Sequence, residues 1–212
     1  MAAENDDGRR RRARKLPAAV RSEAIVEAAI AAFSRTGYYG TSARAVAAEA
    51  GVSEPTVFQY YKTKKELYVA ALTAASLPIF AFWQEVVSRP EDPIKRLQTL
   101  SFQFLDQILA DPAKPQLLFG ALSTKGDADI EAFVKMGQET FHAFVAQILR
   151  EGVEQGIFRR YLDVSNEAWR FLGLGVGICM LALLDKQDEL NSPSIWRWGD
   201  AFRDSILNHE TR

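Results

Sequence analysis

Between Ala43 and Tyr61 the chain reads ARAVAAEAGVSEPTVFQYY, and no other stretch limits its fold so tightly. Val46, Ala47 and Ala50 share one face of a short helix expected over Ala43 to Ala50, and Gly51 accepts the left-handed conformation that stops it. Val52 is placed to drop between helices. Ser53 offers an N-cap oxygen to a further helix, Glu54 to Tyr61, with Pro55 in the first turn, where a backbone donor is unpaired anyway. Two short helices joined by a tight Gly-x-Ser turn make a helix-turn-helix plan, and the small Ala47 lets them approach closely. Upstream, Ile25, Ala28, Ala29, Ala32 and Phe33 form one apolar face of a helix from about Ala19 to Thr36, ended by Gly37. Thr41-Ser42 supplies cap oxygens for the helix that follows.

The third helix carries side chains suited to a polar partner. Thr56, Gln59 and Tyr60 are candidate readers of base edges, and Lys62 and Lys64 stand just beyond for phosphates. Charge placement agrees. The net charge of −1 hides a division: residues 1–66 hold 12 basic and 8 acidic side chains, the remainder 14 and 19. Gly8 to Lys15 (GRRRRARK) is a block of positive charge with no apolar partner, expected to form a mobile arm rather than to pack.

The residues from Arg21 to Leu72 resemble the N-terminal DNA-binding domain of TetR-family (tetracycline-repressor-like) transcriptional regulators. AAIAAFSRTGYYGTS (Ala28–Ser42), VAAEAGVSEPTVFQYYKTKKELY (Val46–Tyr68) and their mutual spacing carry the resemblance, which covers about fifty of the 212 residues. It implies that Ser42 contacts a phosphate and that Arg44 is a candidate base contact. Glu54, Pro55, Thr56 and Gln59 take the exposed face of the recognition helix. Tyr60 and Lys64 grip phosphates, and Thr41 caps or touches the DNA backbone. Phe58 stands where the family usually has Tyr, so one hydroxyl contact to phosphate is missing. Arg9, Arg10, Arg11 and Arg12 of the arm are expected to reach a narrow minor groove.

From Glu66 onward everything reads helical. The whole is therefore expected to be all-α with about nine helices: a flexible arm (1–17), a three-helix helix-turn-helix domain (18–66), and a helical bundle for ligand binding and dimerisation (67–212). The bundle helices are expected over a fourth segment running to about Ser88 with Pro78 bending or splitting it, then 93–110, a short one ending near 123, 127–155, 163–185 and 194–208. Eleven of the 13 phenylalanines and all four tryptophans lie beyond residue 66. Most serve a core, yet kinked helices lodging a small apolar ligand would show the same pattern. Trp83, Phe104, Phe119, Phe133, Met136 and Phe141 are candidate walls, and Gln103, Gln107, Gln138 and His142 candidate polar contacts. Gly173, Gly175 and Gly177 sit in an apolar helical run with no preceding strand, which rejects a phosphate loop. The resemblance implies that the last two long helices pair with their copies in a homodimer. Trp169, Leu172, Gly173, Val176, Met180, Leu183, Trp196 and Phe202 are the candidate seam.

No cofactor, metal or catalytic residue is expected. One cysteine, Cys179, excludes an intrachain disulfide and a Cys-based zinc site, and the histidines are His142 and His209 alone. The longest apolar run, 14 residues from Phe171 to Leu184, falls short of the roughly 20 needed for a spanning helix, so no membrane and a cytoplasmic location are expected. The expected function is a ligand-responsive repressor, binding double-stranded palindromic operator DNA as a homodimer and released by a small apolar effector. An activator, or a member without a small ligand (architectural or protein-regulated), is the alternative.

Overall fold

The computed structural model describes residues 17–190 and 193–208, and the regular elements among them are all α-helices. The basic arm, with Arg9, Arg10, Arg11 and Arg12, lies outside the described residues, as does His209. The helices are α1 (Ala18–Gly40), α2 (Ala43–Glu49), α3 (Glu54–Tyr60), α4 (Lys64–Val87), α5 (Pro93–Ala110), α6 (Ala113–Ala121), α7 (Ala128–Glu154), α8 (Val164–Leu183), α9 (Gln187–Leu190) and α10 (Pro193–Ile206). That is one more than expected. The addition is α9, a single turn too short to leave a periodic signal.

The first three helices follow from their caps. α1 is interrupted at Gly37, whose φ of 70° and ψ of 177° suit glycine alone, so the anticipated stop is a break within the assigned helix. Ser42, Ser53 and Thr63 each accept a hydrogen bond from the backbone N–H three residues on, starting α2, α3 and α4 in the same way. The turn between α2 and α3 is a Schellman closure. Gly51, at φ 65°, donates to the Ala48 carbonyl, and the Val52 N–H reaches the Ala47 carbonyl at 3.0 Å. Val52 thereby packs on the core, as the sequence suggests.

Among the described residues two large buried cores share α4, and a smaller third joins Ile108 of α5 to Ile178 and Cys179 of α8 and Ile195 of α10. In the first, Ile25, Phe33, Val46 and Val57 of the helix-turn-helix segment meet Leu67, Tyr68 and Leu72 of α4, and Leu117, Ala121 and Ile130 of α6 and α7 close it. In the second, Ile79, Trp83, Val86 and Val87 of α4 pack with Leu97 and Leu100 of α5, Ile148 and Leu149 of α7, and Phe171 and Phe202. α4 is one unbroken helix that belongs to both. Pro78 is exposed between Ala75, which packs in the first core, and Ile79, which packs in the second, and it does not split the helix. By length and composition α4 is apolar enough to cross a bilayer, yet its apolar residues are divided between these cores.

A buried cation ties the second core. Arg96, 2% exposed, donates to the Val87 carbonyl at the end of α4 and pairs with Glu151 of α7 at 2.5 Å. Each terminal carbonyl of a helix needs such a partner. The close packing of α8 uses its glycines. A Cβ on Gly175 would stand 3.3 Å from the Phe104 ring and one on Gly177 3.2 Å from Trp198, whereas Gly173 has nothing within 4 Å.

Candidate functional site

The helix-turn-helix segment presents a polar surface on a rigid support. Val57 is buried beneath α3, while Pro55, Phe58 and Gln59 are exposed on its outer face, with Glu54, Thr56 and Tyr60 half-buried beside them. The Thr56 hydroxyl is 2.8 Å from that of Ser53, so it also braces the start of α3. Arg44 and Ser42 are exposed at the start of α2, and Lys62 beyond α3 is exposed as well. Ser42 spends its oxygen on the Ala45 N–H, which leaves its hydroxyl proton for an outside acceptor. Lys64 lies over the Tyr38 ring at 4.6 Å and donates to the Thr41 carbonyl at 3.2 Å, holding its charge at the surface near these groups.

Thr41 differs from its expected place. It is 3% exposed, and its hydroxyl bonds inward, 2.8 Å from the Gly37 carbonyl and 2.6 Å from the Thr36 hydroxyl. It closes the break in α1 and cannot reach a DNA backbone from there. The sequence signal, Thr-Ser before a helix, marks a cap but does not say which of the two faces outward.

A cavity of about 130 Å³ opens in the bundle between α4, α5, α6, α7 and α8. Of the expected wall and contact residues, Trp83, Phe104, Phe119, Gln138 and Phe141 line it. Gln103 and Gln107 do not, lying half-exposed elsewhere on α5. Phe133 packs on the first core, one face of α7 away. Met136 is 60% exposed. His142 is half-buried and does not line it, its Nε2 3.1 Å from the Ser165 carbonyl and its ring stacked on Trp169. Ile79, Leu118, Phe171 and Ile178 are among the further wall residues and were not anticipated. Their signal, apolar residues all round α8 and α4, does not distinguish a void from a core.

No charged side chain lines this cavity. Apart from Ser101, Gln138, Cys179 and the Trp83 indole, its surface is apolar. Burial pushes the Cys179 thiol up to about 11, so it stays protonated and acts as a small apolar wall group. An apolar cavity of this scale has room for a neutral molecule of roughly benzene size.

Two helices connect the cavity and the helix-turn-helix surface. α4 contributes Ile79 and Trp83 to the cavity and Leu67, Tyr68 and Leu72 to the first core. α6 turns Pro115, Leu118, Phe119 and Leu122 to the cavity and buries Leu117 and Ala121 against α1. The loop after α6 is fastened to the reader. The Tyr39 hydroxyl donates to the Lys125 carbonyl, and Lys65 pairs with Asp129 at 2.5 Å and Asp127 at 3.5 Å. The hydrogen bond from Lys65 holds the Asp129 carboxyl below its ordinary range.

Along α8, Trp169, Gly173, Val176, Met180 and Leu183 are exposed on one stripe, and Trp196 of α10 is 51% exposed. Leu172 is half-buried and borders the cavity. Phe202 is not on this face. It is 5% exposed, its ring 5.6 Å from that of Phe171 inside the protomer, because α10 turns it toward α8. Among the described residues no group of His, Cys, Asp and Glu is arranged to hold a metal.

Residues 25–71 match the model of the tetR family of bacterial regulatory proteins. The transcriptional repressor KstR2 of Mycobacterium tuberculosis is 23% identical over 148 residues, 70% of this chain and 74% of its own length. The repressor SCO4008 of Streptomyces coelicolor is 31% identical over 133 residues, 63% of this chain and 65% of its own. Among solved structures, SmeT, the repressor of the Stenotrophomonas maltophilia efflux pump SmeDEF, superposes with a TM-score of 0.74 at 18% identity, covering 89% of this chain and 91% of that one. SmeT in complex with triclosan gives 0.72 at 18% identity, covering 90% and 93%.

Proposed function

This chain belongs to the TetR family of DNA-binding transcriptional regulators, and from that premise we propose that it is a repressor that grips a palindromic operator as a homodimer and lets go when a small uncharged apolar effector enters the bundle cavity. The observation that carries this reading is the double duty of α4 and α6, which line the cavity on one side and pack the DNA-reading core on the other. KstR2, SCO4008 and SmeT are named as repressors, and the triclosan bound by SmeT is a small molecule, which supports the same scheme.

In this scheme two α3 helices enter successive major grooves about 34–36 Å apart. Pro55, Phe58 and Gln59 face the base edges, while Ser42, Arg44, Tyr60, Lys62 and Lys64 meet phosphates. The exposed α8 stripe, with open space over Gly173, meets its own copy. An effector shifts the protein toward a non-binding arrangement only by its difference in affinity for the two states, and operator DNA weakens the effector by the same factor.

Footprinting on DNA flanking the gene for this chain, with sedimentation of the protein alone, tests the reading. Protection of a near-palindrome by a dimer, relieved by apolar compounds, is expected. A monomer that protects no symmetric site overturns it. A dimer whose binding no apolar compound relieves keeps the DNA reading and removes the effector.

A further inference from the structure

A second cavity, of about 120 Å³, lies between α5, α8 and α10 on the far side of the first. Its floor is apolar, built on Leu97, Phe102, Leu105, Trp196 and Trp198. The two cavities have Ser101, Phe171, Leu174 and Ile178 in common, so one layer of side chains divides them. The smallest member of that layer is Ser101, whose hydroxyl is tied back to the Leu97 carbonyl at 3.1 Å. Opposite it stand rotatable side chains of α8.

The rim of the second cavity carries Gln98, Asp200 and Arg203. The Arg203 guanidinium meets Asp200 at 2.7 Å and Asp204 at 2.8 Å, so two carboxylates face one cation. The Arg203 charge is therefore already met by carboxylates, of which Asp200 lines the cavity. An anionic head group finds that cation already matched, whereas a hydroxyl or amine finds hydrogen-bonding partners in Gln98 and Asp200.

The geometry points to a two-chamber effector site. The ligand is an elongated apolar molecule without negative charge, its body in the first cavity, its chain passing the Ser101–Leu174 seam, and its polar end at the Gln98–Asp200 rim. This rests on the reading of the first cavity as the effector site. It adds a binding subsite on α10 and a seam that sets how long an effector is accepted.

Three of the four tryptophans report the chambers separately, Trp83 lining the first and Trp196 and Trp198 the second, while Trp169 lines neither and is the background common to all variants. The full-length protein is titrated with 1-hexanol, 1-octanol and 1-decanol, following fluorescence in the unaltered chain, in Trp83→Phe and in the double variant Trp196→Phe/Trp198→Phe. Hexanol is expected to move the Trp83 signal alone and decanol both, with affinity rising about fourfold per methylene across the series, the gain expected for burying each one. Decanoate should bind at least tenfold more weakly than decanol. Ser101→Leu should level the series at hexanol. Leu174→Ala, a check should the first variant fail to fold, should give a decanol affinity above that of the unaltered protein.

An affinity that levels off at hexanol in the unaltered protein, a decanol signal confined to Trp83, or decanoate binding as well as decanol overturns the proposal. So does a series unchanged by both seam variants, which would make the chambers independent. Absence of any Trp83 response to hexanol removes the effector cavity itself. A Trp83 response without one from Trp196 or Trp198 removes only the second chamber.

Discussion

Thr41→Val separates support from contact at the DNA-facing surface. Valine keeps the shape of threonine and deletes one hydroxyl that bonds the Gly37 carbonyl at 2.8 Å and the Thr36 hydroxyl at 2.6 Å. These partners, and the Ala32 carbonyl 3.3 Å away, have ready replacements. Gly37 is exposed, so water can reach its carbonyl, and Thr36 already stands 3.3 Å from the Ala32 carbonyl. The cost is therefore that of an ordinary hydrogen bond, about 1 kcal/mol, without the larger penalty of stranding a buried group. In a chain of this size that lowers Tm by about 2–4 °C. It leaves the protein folded at ambient temperature, since domains hold on the order of 5–15 kcal/mol in reserve. Operator affinity should fall little, and the slope of log K against log salt should not change, because no phosphate contact is lost. Arg44→Ala and Lys62→Ala should do the reverse, each flattening the slope by about 0.9 with Tm nearly constant. Thermal denaturation and mobility-shift titrations at several salt concentrations measure both quantities. A Thr41→Val protein with unchanged Tm and a flattened slope would refute the reasoning.

Phe58→Tyr adds a hydroxyl at an exposed position of α3, and one new hydrogen bond should tighten operator binding about two- to tenfold; unchanged affinity would show that no acceptor is in reach. The Glu151 carboxyl is held below the ordinary glutamate range: burial opposes this, and hydrogen bonds from Arg96 and Gln147 outweigh it. Its depressed value contributes stability above the unfolded pKa of about 4.3, and the contribution is lost as pH falls through the folded value. Glu151→Gln should therefore flatten the acid limb of Tm against pH, and an identical limb would assign acid sensitivity elsewhere. With its thiol pushed up to about 11, Cys179 should resist iodoacetamide at pH 8 in the folded protein and react only on unfolding, whereas rapid native-state alkylation would contradict its burial. Because the unfolded thiol ionises first, stability should also decline between about pH 8.5 and 11.

The DNA-reading helices were legible almost residue by residue because their determinants are local. Ser42, Ser53 and Thr63 cap the helix they precede, and Gly37 and Gly51 interrupt where their neighbours leave a backbone only glycine accepts. Thr41 was misplaced because burial of one hydroxyl depends on the path of the chain between α1 and α2, which periodicity does not describe. The cavity shows the same limit at greater range. In α7, Phe133, Met136 and Phe141 read as one apolar set, yet the helix is 27 residues long and passes both cores. Phe133 meets the first core, Phe141 the cavity, and Met136 solvent. Spacing says that residues share a face; it does not say what each length of that face meets. α8 defeats periodicity differently, since it is apolar on sides that meet α7, the cavity and solvent. Its glycines became meaningful only with Phe104 and Trp198 seated against two of them.

Pro78 gives α4 a mechanical character that its sequence neighbours do not. The residue has no N–H to offer the Ala74 carbonyl, so one rung of the helix ladder is missing between two well-clamped halves. A rod gripped at both ends and notched once flexes at the notch. Pressure against Trp83 and Ile79 on one side would be relieved there by a change of direction, leaving the packing of Leu67, Tyr68 and Leu72 undisturbed on the other. Under the proposed scheme, what would pass from cavity to DNA is an angle, carried by two intact solids joined at a single compliant peptide.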